Sequence, residues 1–426
     1  MRLVGVACVA LVSVGCVADN PAFGDGGTTR GAGGDASSAT SEANPSGTSQ
    51  ADGSQGGSTA QAVTSANDSG DTTTAWSSSA TQSDTERPGD WLLEDYRFRL
   101  VIKFIGRDAP LEGFVTPVEL EFGQDTLDQV DPAQMQFVDV LTGSPLAVEF
   151  LLFQREKGTV RVWLRLPLWA ADELTLVHAY FDPDAEPVEH ASPWEDYAAV
   201  WHMDEVTGNV TPDAAHGRDA ALVPTLTGNP LSTGAGVVGP AVEFNGIDHR
   251  LGAELDGGLD DSTFLVSAWT RANAAPGEGT PILSRGQRWG DARSDTEWMM
   301  GFGPGVLRGR VHDSSSLAST QTTAPAPGEW VHHAFLVTDT SLQLFRNGNA
   351  PSTGQLEGGF EHVLEELSIG GYASEAPGWE GRVFDGNIDE VWWRVGGDVD
   401  AAWVSNLYLT QLEPETTFEY GGVEAL

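Results

Sequence analysis

The sequence predicts an all-β protein: a small antiparallel β-sandwich, then a larger sandwich that closes on a short C-terminal helix. Three observations predict it. From Tyr96, the apolar residues Tyr96, Phe98, Leu100, Ile102 and Phe104 alternate with Arg97, Arg99 and Lys103, the period of two expected of a half-buried strand. Phe264 to Thr270 and Trp330 to Thr338 are nearly continuous apolar runs, the pattern of strands covered on both faces. Only residues 401–411 repeat with helical period, Trp403 with Leu407 and Val404 with Tyr408, with Asp398 or Asp400 available as N-cap.

At 426 residues the chain has room for two or three domains. It carries 62 acidic against 22 basic residues, a formal charge of −40. Residues 1–86 hold nine acidic and two basic groups, so the remainder keeps 53 against 20. Such a surface repels phosphate backbones and anionic membranes, which excludes nucleic acid as a partner and attracts soluble cations such as calcium.

The N-terminus explains the only two cysteines, Cys8 and Cys16. Arg2 followed by the apolar run Leu3 to Gly15 reads as a signal peptide, residues 1–16, too short to span a bilayer. Ser13 to Cys16, SVGC, resembles a bacterial lipobox, which implies lipidation at Cys16 and a membrane contact through that anchor alone. Ser13 departs from the usual aliphatic residue, and cleavage after Ala18 is the rival reading, giving a secreted protein. No cysteine follows Cys16, so the domains have neither a disulfide framework nor a thiol site.

Residues 17–87 are rich in Ser, Thr, Gly, Ala and Asp and have almost no apolar periodicity. They bury too little surface to offset ordering entropy and read as a disordered linker. The first sandwich is expected over 88–198, with further strands at Thr116 to Glu121, Met135 to Val140, Ala147 to Phe153, Thr159 to Leu166 and Leu174 to Phe181. Turn residues at Thr142 to Pro145 and at Lys157-Gly158 separate them. Trp194, Tyr197 and Trp201 are expected to pack the junction with the second sandwich, 199–426. Within that sandwich, Asn347-Gly348 marks a two-residue hairpin, because both positions of a type I′ turn need positive φ.

Two resemblances refine this reading. Trp91 with Tyr96-Arg97, MQFVDVLTG (135–143), VRVWLRLP (160–167) and HAYFDP (178–183) resemble the domain of unknown function DUF2341. That family carries no assigned activity. The ordered phrases AVWHMDE (199–205), AVEFNGIDHRL (241–251), FLVSAWT (264–270), GEWVHHAFLV (328–337), LQLFRNG (342–348) and FDGNIDEVWW (384–393) resemble the LamG-like jelly roll of the concanavalin A-like lectin/glucanase superfamily. The second resemblance implies carbohydrate binding as one use and calcium as the one cofactor to consider. Asp213 matches an acid of the family's loop phrase, with Asp248 and Asp389 as other recurrent acids, although Ala215 and His216 depart from that phrase.

The remaining chemistry is sparse. His332 and His333 are adjacent in a strand and so face opposite ways, which makes them core residues rather than a metal pair. The Glu-x-Asp-x-x-Glu strand of the relevant glucanases does not occur, and no catalytic residue is assigned. Trp289 and Trp379 lie in Gly-rich polar stretches and are the candidate ligand-binding aromatics. The expectation is a non-enzymatic exported protein of the bacterial cell envelope, recognising a glycan or another ligand. The alternatives are a scaffold that binds an envelope or extracellular protein without sugar recognition, and a polysaccharide hydrolase.

Overall fold

A computed structural model describes residues 91–223, 228–254, 263–277, 279–286, 296–312, 317–357, 366–372, 382–397 and 399–426, all within one unit spanning Ser83–Leu426. Cys16, the 17–87 segment, Trp289, Trp379 and Asp398 lie outside the described residues. The protein is all-β, and among the described residues one helix, Ala401–Leu412, is longer than a single turn. Among the described residues no helix is long and apolar enough to cross a membrane.

The first sandwich begins with β1 (Phe98–Phe104), β2 (Leu111–Glu121), β3 (Gln136–Asp139), β4 (Val148–Gln154), β5 (Thr159–Trp169) and β6 (Thr175–Phe181). Strands β2, β5 and β4 form a three-stranded antiparallel sheet. The facing sheet pairs β1 with β6 and β6 with β3.

The second sandwich contains β7 (Tyr197–Trp201), β8 (Val210–Thr211), β9 (Ala220–Leu222), β10 (Ser232–Ala235), β11 (Pro240–Asn245) and β12 (Leu251–Glu254). It continues through β13 (Phe264–Ala272), β14 (Thr280–Gly286), β15 (Thr296–Gly303), β16 (Val306–His312) and β17 (Leu317–Thr323). It is completed by β18 (Val331–Val337), β19 (Ser341–Arg346), β20 (Ser352–Gln355), β21 (Glu366–Ile369) and β22 (Asp385–Val395). One sheet runs β10-β11-β22-β13-β18-β19-β20 with β7 also on β22, and the other runs β17-β16-β15-β14-β21-β12-β9-β8. Phe264, Val266 and Trp393 from the first of these meet Trp298, Met300 and Ile369 from the second in one core, which makes the pair a jelly-roll sandwich. After β19, Asn347 at φ 51° and Gly348 at φ 63° form the type I′ turn, with Asn349 N donating to Arg346 O, but β20 begins only at Ser352, so the expected two-residue hairpin is a longer connection.

Beyond the helix, β23 (Phe418–Ala425) does not stay with the second sandwich. It pairs antiparallel with β1, Phe104 opposite Phe418, and becomes the edge strand of the first sandwich. The expected boundary at 198/199 therefore shifts in two ways: β7 already starts at Tyr197, and the last strand returns to the first sandwich. Alternation along a strand reports which face is buried, not which sheet the strand joins.

The two sandwiches share apolar interior. One continuous cluster contains Phe114, Val118 and Trp163 of the first, Leu265, Leu336, Phe345 and Trp392 from the outer face of the second, and Trp403, Val404 and Leu407 of the helix. Strand β13 is thus covered on both sides, with Phe264, Val266 and Ala268 facing inward and Leu265 facing the junction. This is why its sequence is a continuous apolar run. Asp400 caps the helix, its side chain accepting from Trp403 N at 2.8 Å, and Trp269 fixes the helix end through Nε1 donating to Gln411 Oε1 at 2.6 Å.

Candidate functional site at the junction of the sandwiches

Aromatic rings line the junction. Trp194 from the linker between modules, Trp163 from β5 and Trp392 from β22 pack edge to face, with ring centroids 5.1 to 5.6 Å apart, and Tyr197 joins them. Trp201, the third aromatic expected here, instead belongs to the second core and donates Nε1 to Arg218 O. Trp392 and Trp393 are both buried, on opposite faces of β22.

His202 follows β7 into this aromatic box and lies stacked on Trp163. Its Nδ1 is 3.0 Å from Glu390 Oε2 and its Nε2 is 3.3 Å from Glu149 Oε2. Glu390 also accepts from Trp392 Nε1, and Glu149 from Trp194 Nε1. Burial alone would push the imidazole down. The charge of Glu390, with hydrogen bonds to Glu149 and Glu390, outweighs it and holds His202 well above the usual imidazole range. With Glu149 of the first sandwich on one nitrogen and Glu390 of the second on the other, His202 links the two modules.

Glu390 is brought into the box by a backbone irregularity. The β13–β22 register shifts between Ser267 and Trp269, and Glu390 sits at φ 48°, while Met203 beside His202 has φ 63°. Non-glycine residues in this region cost on the order of 1 kcal/mol or more each and persist where surrounding structure holds them. Asp389, its neighbour, is wholly buried beneath the β10–β11 loop. Its Oδ2 accepts from Val237 N at 2.6 Å and Val238 N at 3.2 Å, while Oδ1 has no hydrogen-bond partner. Burial first, then the charge of Glu390, raises the Asp389 carboxyl well above the usual range. A Cβ on Gly236 would lie 2.5 Å from Asp389 Oδ2, so glycine is required for the loop to approach this closely.

On the outer side of the same loop, Arg161 of β5 donates through Nη1 to Val238 O at 2.9 Å and through Nε to Glu119 Oε2 at 2.8 Å. Glu119 and Arg161 together border three adjoining depressions. The first, about 630 Å³, runs past Glu121 and Glu415 to Phe418 and Tyr420. The second, about 450 Å³, reaches Gln154, Lys157 and the backbone of Gly234 and Gly239. A third of about 90 Å³ lies between them and the helix end at Gln411 and Leu412. The resulting groove exists only because the β10–β11 loop and β23 both meet the first sandwich. It offers carboxylate acceptors, guanidinium and ammonium donors and an exposed tyrosine.

The three acids expected as calcium ligands are not gathered. Asp213 is buried and staples its own loop, accepting from the backbone N–H of Val200, Ala215, His216 and Arg218. Asp248 is held by Asn245 Nδ2 in the turn after β11. Asp389 serves the β10–β11 loop as described, and among the described residues no group of three or more His, Cys, Asp or Glu side chains could hold a metal ion. The carboxylate oxygens do not fit a shared calcium site, which needs several of them free to converge.

His332 and His333 are buried on opposite faces, against Trp269 and Phe302 respectively, and burial pushes both down to about 3. Glu195 and Asp196, adjacent acids before β7, both pair with Arg165. Arg285 pairs with Leu367 and Leu283 with Ile369, so Gly286 and Tyr372, from which residues 287–295 and 373–381 depart, stand at opposite ends of the sheet.

Residues 247–394 match the family model described as concanavalin A-like lectin/glucanases superfamily, Laminin_G_3. No curated protein matches the chain. Among solved structures, the chain is similar to domain 4 of AbnA, a GH43 extracellular arabinanase from Geobacillus stearothermophilus in complex with arabinotriose, at 16% identity and TM-score 0.33, covering 50% of this chain and 98% of that one. It is also similar to the binding domain of Paraclostridial Mosquitocidal Protein 1, at 12% identity and TM-score 0.38, covering 50% and 51%, and to the receptor binding domain of botulinum neurotoxin D, at 10%, 0.38, 51% and 53%. The match spans about half the length of each toxin domain.

Proposed function

We propose that this is a non-enzymatic, exported recognition protein that binds glycan in the groove between its two sandwiches. The observation that carries the reading is the placement of Glu119 and Arg161, side chains of the first sandwich, along a groove completed by the β10–β11 loop and by Tyr420. Sugars present hydroxyl edges and apolar faces. Carboxylates and Arg161 suit the edges, and an exposed aromatic ring suits the faces. The superfamily match over 247–394 supports a binding role for the second module. Export and anchoring through Cys16 would hold the head at the cell envelope, spaced by the 17–87 linker.

A glycan array probed with the full chain tests the reading. Glycan signal is expected, and it should be lost in Arg161→Ala and reduced in Tyr420→Ala. Signal unchanged by both substitutions would move recognition elsewhere, to the loops of Trp289 or Trp379. Anchoring is tested separately by labelled palmitate, expected on the wild type and absent in Cys16→Ala. Soluble secretion of the unlabelled wild type would contradict it.

A further inference from the structure

Four exposed aliphatic side chains occupy one end of the first sandwich. Ile105 is 37% exposed, Leu141 87%, Leu168 44% and Leu174 58%. Ile105, Leu141 and Leu174 come from three connections, β1–β2, β3–β4 and β5–β6, and Leu168 from the end of β5; strand directions place all four at the same end, because Phe104 pairs with Thr175, Asp139 with Val177 and Leu111 with Trp169. The connections touch. Val140 N donates to Leu176 O, Asp172 N to Arg107 O, and a Cβ on Gly106 would lie 2.6 Å from Glu173 N.

The backbone beneath Leu141 and Leu174 is held by hydrogen bonds. Asp139 accepts from Leu141 N at 2.9 Å and Thr142 Oγ1 at 3.0 Å, and its carbonyl accepts from Gly143 N, so the turn is closed by hydrogen bonds with Leu141 at its tip. Ala170 N donates to Thr175 Oγ1 across the β5–β6 turn beside Leu174. A turn backbone held in advance lowers the ordering cost of binding. The same connections carry Asp108, Asp172 and Glu173, with Asp139 at the end of β3. The nearby cation, Arg107, lies 4.5 Å over the Trp169 ring.

We propose that this end of the first sandwich docks a partner protein that offers an apolar pocket with a basic rim. The leucines supply contact area, and the acidic border supplies orientation and excludes alternatives. An anionic bilayer and a second copy of this same acidic end would both be repelled. None of Ile105, Leu141, Leu168 and Leu174 lines the groove, so the proposal does not rest on glycan binding.

The test places a photo-cross-linking amino acid at position 141 or 174 of the full chain in its native host. Both positions should yield the same adduct. The protein identified in it, once purified, should bind the full chain, weaken with added salt, and lose about tenfold or more in affinity to Leu141→Asp with Leu174→Asp. Both residues are exposed, so the variant should keep the wild-type melting temperature. Absence of an adduct, an adduct only to a second copy, flotation with phosphatidylcholine vesicles that the variant abolishes, or partner binding indifferent to the variant would each overturn the proposal.

Discussion

His202 Nε2 in the second sandwich lies 3.3 Å from Glu149 Oε2 in the first, and its other nitrogen, Nδ1, lies 3.0 Å from buried Glu390. The modules therefore meet across a charged contact enclosed by Trp163, Trp194 and Trp392. Folding and module docking are coupled through it.

The sign of the resulting pH dependence follows from direction alone. His202, Asp389 and Glu390 all hold their protons more tightly folded than unfolded. Each contributes stability that is complete at low pH and is lost as pH rises through its folded value. For His202 the loss falls above the ordinary imidazole value of 6.5. Thermal unfolding from neutral to alkaline pH should show the wild type declining and His202→Gln declining less. Removing one partner of the buried pair should also cost roughly 3–5 kcal/mol near neutrality.

At the first sandwich the order reverses. Arg97 holds the Asp182 carboxyl down at about 2 through a side-chain hydrogen bond. That contribution is present above the ordinary carboxylate range and is lost as pH falls through about 2. In Asp182→Asn the acid limb of the stability profile should flatten, as read by urea unfolding at successive pH values.

Asp389 distinguishes a neutral acceptor from a charge. Asp389→Asn keeps an oxygen for Val237 N and Val238 N and should change stability by less than about 1 kcal/mol, whereas Asp389→Ala strands two buried donors at about 1–3 kcal/mol. Gly236→Ala forces a Cβ against Asp389 Oδ2 and should cost about 1–3 kcal/mol. Chemical denaturation of the three variants checks this ordering.

The returning strand makes the C-terminus part of the first sandwich. Phe418 is buried, with its ring centroid 5.9 Å from that of Phe104. Phe418→Ala should cost about 3–5 kcal/mol. Proteolysis should then open the first sandwich through β1, despite the 300-odd residues that separate the two strands in sequence.

Much of the fold is written locally. Alternation from Phe98 to Phe104, the Asn347-Gly348 turn, the Asp400 cap and the core character of His332 and His333 all follow from spacing within a few residues. What spacing does not carry is pairing over distance. Nothing in Phe418–Ala425 marks β1 as its neighbour, and the groove at Glu119 and Arg161 depends on that pairing. The bulge that turns Glu390 toward His202 is likewise set by β13 across the sheet. The acids expected to share calcium are each engaged elsewhere, Asp213 by the backbone of its own loop, Asp248 by Asn245 and Asp389 by the β10–β11 loop, because short carboxylates close loops as readily as they bind ions.

The central claim is that the groove between the sandwiches recognises glycan. Calorimetric titration of the full chain with the strongest array glycan, beside Arg161→Ala with Tyr420→Ala, tests it most directly. Saturable binding is expected of the wild type, with a loss of about tenfold or more in affinity in the variant and folding retained. Wild-type affinity in the folded variant, or no glycan bound by the wild type, would contradict it.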